Sequence, residues 1–80
     1  MNDKNRLIGK TTRGENVWLF HTPEYCLDYI RSYNRHIGYW LRSIRQNGRN
    51  DDRITVLKEC VLERNRFQRI LKVVLEHEPD

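Results

Sequence analysis

The chain has 80 residues, which limits it to one domain and leaves no room for a second substrate domain or a deep cofactor cleft. It carries 15 Lys+Arg against 11 Asp+Glu, a formal net charge of +4. Eleven of the cations are arginine, whose planar fork of donors suits phosphate and carboxylate, so the bias points to an anionic partner.

Residues 1–5 read as a polar, frayed tail without the apolar core of a signal peptide. No apolar run has the length of a membrane span. The two cysteines, Cys26 and Cys60, do not make a disulfide framework. Cytoplasmic residence without membrane contact is the resulting expectation.

From residue 6 to 20 the pattern predicts a short β-hairpin. Leu7-Ile8 begins one strand, and Val17-Trp18-Leu19-Phe20, rich in β-formers, makes the other. Thr12 to Asn16 supplies turn chemistry, with Gly14 free to take positive φ. A lone hairpin is marginal in water. The face shared by Trp18 and Phe20 is therefore expected against the helices.

The first helix is predicted over 22–47. Thr22 is a good N-cap, Pro23 suits the first helical position, and Glu24 complements the positive helix end. At 100° per residue, Cys26, Tyr29, Ile30, Tyr33, Ile37, Trp40, Leu41 and Ile44 share one face. Arg31, Arg35 and Arg42 lie opposite. Asn47-Gly48 signals the end. The second helix is predicted over 51–77, behind the capping cluster Asn50-Asp51-Asp52 and before Pro79. Its stripe is Val56, Leu57, Cys60, Phe67, Ile70, Leu71, Val74 and Leu75. Leu62 and Val73 project from the far side.

Folding back at Gly48 pairs positions whose numbers sum to about 97. Ile30 then meets Phe67, Ile37 meets Cys60, and Trp40-Leu41 meets Val56-Leu57. Cys26 and Cys60 fall about eleven helical residues apart, roughly 16 Å, too far for a disulfide within the chain. Arg64 interrupts the stripe opposite Tyr33, and is expected to lie over that ring with Glu63 nearby, the alternative being a cation held at a binding surface. The fold expected is α+β and mainly helical: an N-terminal β-hairpin on a long antiparallel two-helix hairpin, 1–80 forming a single domain.

Little in the chain suggests catalysis. Gly9-Lys10-Thr11 resembles the end of a phosphate loop, but Lys4 stands where that motif needs glycine, and a turn and strand follow instead of a helix. The histidines, His21, His36 and His77, show no zinc-type spacing with the cysteines. Cys26 points into the expected core, and Glu24 and Asp28 read as first-turn acids. The chain is expected to be no enzyme, with no cofactor, metal or small-molecule substrate.

Binding is the alternative. Arg31, Arg35 and Arg42 form a stripe joined at the hairpin tip by Arg45, Arg49 and Arg53, suited to tracking phosphates. Tyr39 lies beside it, placed to stack on a base. Residues 23–49 hold five arginines against two acids, a net of +3. The leading expectation is a small regulatory protein that engages nucleic acid or a nucleoprotein through this face. The rival is an adaptor or inhibitor docking on a partner protein machine, a role that suits a phage- or mobile-element-encoded regulator. Leu27, Leu62 and Val73 are the expected protein interface, with a homodimer as its simplest form.

Overall fold

A computed structural model describes residues 6–77; the expected N-terminal tail and Pro79 lie outside them. Four elements follow in order: β1 (Leu7–Lys10), β2 (Asn16–Trp18), α1 (Pro23–Asn47) and α2 (Asp51–Glu76). The two strands form an antiparallel sheet, and the two helices form an elongated hairpin, giving overall extents of 49 × 23 × 21 Å.

The helix ends follow from their local chemistry. The Thr22 hydroxyl accepts from the Tyr25 amide at 3.1 Å, ahead of Pro23. The Asn50 side chain accepts from the Arg53 amide at 3.1 Å. Between the helices the Gly48 amide donates back to the Ile44 carbonyl at 2.8 Å, and the chain turns.

The helices pack in the expected register. The Tyr29 and Phe67 rings stack at 4.5 Å with 8° between their planes. Arg64 Nη1 donates to Asn34 Oδ1 at 3.3 Å. Along α1, Ile30, Ile37 and Ile44 recur every seven residues; along α2, Cys60, Phe67 and Val74 do the same. Four of these six are buried (Ile37, Cys60, Phe67 and Val74), and the other two are half-buried. Three residues before each stands a second series: Leu27, Asn34 and Leu41 on α1, and Leu57, Arg64 and Leu71 on α2. This is the spacing of a two-stranded coiled coil with one polar layer, Asn34 and Arg64, between leucine layers.

The sheet differs from expectation in two respects. The second strand stops at Trp18, because the Trp18 amide donates to His21 Nδ1 at 3.0 Å and its carbonyl accepts from the His21 amide at 2.9 Å. That closure turns Leu19 and Phe20 out of the strand. The residue that anchors the sheet is Val17, fully buried, while Trp18 is only half-buried. Phe20 does reach the helices, edge-on to Tyr25 at 5.7 Å. Gly14 takes φ 80° in the turn, as expected.

The core gathers where the hairpin meets the helices: Val17, Cys26, Phe67, Ile70 and Val74. Both cysteines are free and buried. Burial pushes the Cys26 thiol up to about 11, so it stays protonated and inert at neutral pH.

Candidate nucleic-acid interface

The outer side of α1 is built by residues three, four and seven apart, so Arg31, Arg35, Arg42 and Tyr39 all rise from one ridge. From Arg31 to Arg45 the ridge runs about 21 Å along the helix. All four arginines on it, and Arg49 in the connecting loop, are exposed. Arg31 has Asp28 at 4.0 Å, an open pair of little energetic weight. Among the described residues, Arg35, Arg42, Arg45 and Arg49 have no carboxylate within 4.0 Å.

Tyr39 is 57% exposed, and its ring stands edge-on to Trp40 at 5.2 Å. Trp40 is half-buried and braces it. Tyr39, Arg42, Ser43, Gln46 and Asn47 line a shallow hollow of about 140 Å³. Its wall combines an aromatic ring, a guanidinium and two amides. A ring can stack on a base, and amides can read base edges. Gly38 lies in the ridge, and the Arg42 guanidinium comes within 3.6 Å of where a Cβ would stand there. The expected site did not include Ser43, Gln46 or Asn47, although their spacing from Tyr39 (four, seven and eight residues) puts them within its reach.

Two of the expected site residues are otherwise engaged. Arg53 is half-buried, and its Nη1 donates to the carbonyls of Asn47 and Gly48 at 3.4 and 3.2 Å. It caps the negative end of α1 instead of standing free at the tip, because the fold-back brings the first turn of α2 against those carbonyls. Val73 is half-buried under β1, and does not form a free patch with Leu62. Gly9 permits this close approach: a Cβ there would stand 3.1 Å from Val73 Cγ1. Leu62 and Leu27 remain exposed, at 60% and 36%.

Arg64 also departs from expectation. Its guanidinium bonds to Asn34 and to Asn65 Oδ1, the latter at 3.2 Å. It does not lie over Tyr33 with Glu63, since Glu63 pairs with Arg66 at 3.1 Å. Arg66 in turn covers the Phe67 ring, 5.2 Å from its centre. The heptad spacing of Asn34 and Arg64 was the signal that could have found their pairing.

The phosphate-loop fragment resolves into structure. Gly9 and Lys10 belong to β1, and Thr11 is buried, its hydroxyl donating to Glu15 Oε1 at 2.7 Å. No described helix is long and apolar enough to cross a membrane. Comparison of the chain with protein-family models, with curated proteins and with solved structures found no match.

Proposed function

We propose that the protein is a small, non-enzymatic regulator that binds nucleic acid or a nucleoprotein along the outer ridge of α1. The observation that carries this reading is the row of exposed arginines whose charge no described carboxylate offsets: Arg35, Arg42, Arg45 and Arg49. The ridge tracks the phosphates, and Tyr39 stacks on an unpaired base in the hollow beside Arg42. Gln46 and Asn47 meet the edge of that base.

Four phosphate contacts of this kind release about four counterions. Affinity for duplex then falls roughly 100-fold between 50 and 200 mM salt, somewhat less for a single strand. Fluorescence anisotropy with short mixed-sequence DNA and RNA measures this directly. The double charge reversal Arg35→Glu, Arg42→Glu is expected to lower affinity more than tenfold at low salt. Binding that ignores both salt and this double substitution would overturn the reading.

A further inference from the structure

The helical hairpin has two broad sides, and they differ in cover and in charge. Residues spaced 100° apart assign them. The β-hairpin sits on one side, where Val73 and Arg69 meet it. The acids that flank the packing face of α2, namely Asp52, Glu59 and Glu63, fall on this same side. The other side carries the second heptad series. The fold-back register places Leu27 level with Leu71 and Leu41 level with Leu57, one heptad to either side of the Asn34–Arg64 pair.

That side is open. Leu41 is 50% exposed and Leu75 53%, with Leu57, Val61 and Leu71 half-buried. Leu57, Lys58, Val61 and Leu62, all on α2, line a largely apolar hollow of about 320 Å³ that leads from this side round to the back of that helix. Arg31 and Arg45 on α1 and Arg64 on α2 border the open side; Glu24, one heptad before Arg31, and Asp28, 4.0 Å from it, lie behind that border by helical spacing. Arg64 bonds only to neutral amide oxygens, and no described carboxylate lies within 4.0 Å of it.

We infer that this open side is a docking groove for an acidic amphipathic helix of a partner protein. The groove between two antiparallel helices takes a third helix through apolar anchors at heptad spacing. The leucine layers supply those anchors, one heptad to either side of Arg64. A carboxylate on the incoming helix opposite Arg64 compensates a half-buried charge that the fold leaves facing neutral amides, and flanking acids meet Arg31 and Arg45. Charge sets this occupant above a second copy of the chain. Two copies face to face set Arg64 and Arg45 against their like, while Asp28, 4.0 Å from Arg31, lies at the back of α1 by helical spacing. The inference shares Arg31 and Arg45 with the proposed nucleic-acid ridge, but its apolar anchors and its central charge, Arg64, lie off that ridge.

The test uses the full chain and two fluorescein-labelled 21-residue peptides. Both have Leu and Ile at the two apolar heptad positions; one carries Glu at the central apolar position and at the flanking sites, the other Lys. The acidic peptide is expected to bind at 150 mM salt at least tenfold more tightly than the basic one. Arg64→Gln is expected to remove most of that preference. Leu41→Asp is expected to weaken the acidic peptide at least tenfold. Should Leu41→Asp lose helicity by circular dichroism, amide shift changes on titrating the wild-type chain decide instead. Changes centred on Leu27, Leu41, Leu57 and Leu71 support the groove, and changes elsewhere refute it. Equal binding of the two peptides, or of neither, overturns the inference. So does a wild-type dimer in light scattering that Leu41→Asp converts to monomer, because a second copy then occupies the face.

Discussion

Arg69 holds both carboxylate oxygens of Glu15 at 2.8 Å, joining the β-turn to α2 across fifty-four residues of chain. Both side chains are about three-quarters covered, and Thr11 adds its hydroxyl to the same carboxylate. This two-pronged pair fixes where the hairpin lands on α2.

The pair predicts a stability change with acid. The hydrogen bonds from Arg69 are the main reason that the Glu15 carboxyl is held down to about 2 from its ordinary 4.5. A depressed carboxyl gives stability that is present above 4.5 and lost as pH falls toward 2. Glu15→Gln should therefore lower stability at pH 7 by about 1–2 kcal/mol, the scale of a charge-assisted bond with partial solvent screening. Urea titrations from pH 7 to 2 should show the wild-type and variant curves converging at the acid end.

His21 adds a second acid sensitivity at higher pH. It is buried, its Nδ1 accepts the Trp18 amide, and burial lowers its pKa from 6.5, with Arg66 contributing. The folded state therefore favours the neutral ring. Stability is full above 6.5 and declines as pH drops through the lowered value. An NMR titration should place His21 below 6.5. His21→Gln should remove the part of the thermal-stability loss that the wild type shows between pH 7 and 5.

Gly9 and Val73 should be energetically coupled. Gly9→Ala puts a methyl 3.1 Å from Val73 Cγ1, tight enough to push β1 off α2. A loss of about 1 kcal/mol is expected, in the range of mild overpacking. Making the same change in a Val73→Ala background should recover about 0.5 kcal/mol or more of it, since contacting residues fail to add. A double-mutant cycle from denaturation midpoints checks this.

Arg53 and Arg42 should separate by readout. Arg53 caps the carboxyl end of α1, whereas the Arg42 guanidinium lies on the exposed ridge. Arg53→Ala is expected to lower stability by about 1 kcal/mol and leave the salt slope of nucleic-acid binding unchanged. Arg42→Ala should do the reverse, reducing that slope by about one contact.

The ends of the helices and their register were legible in the sequence. Thr22, Pro23, Asn50 and Gly48 act within four residues of themselves, so capping chemistry reads directly from neighbours. The apolar stripes have helical period, and a short fold-back leaves them essentially one alignment. The exposed arginine ridge was legible for the same reason, being one face of one helix.

Contacts between distant parts of the chain were decided only by the tertiary structure. Nothing local tells Glu15 that its partner is Arg69, or Gly9 that Val73 lies beneath it. Both depend on which side of the helical hairpin the sheet settles, and Val17 sets that by filling the space above Phe67, Ile70 and Val74. The same choice turned Val73 from an expected interface residue into a covered one and left the opposite side bare. Arg53 and Arg64 likewise carry identical chemistry in the sequence to Arg42. The fold-back gave the first a pair of carbonyls and the second an asparagine, because hydrogen-bond partners follow three-dimensional proximity and not composition.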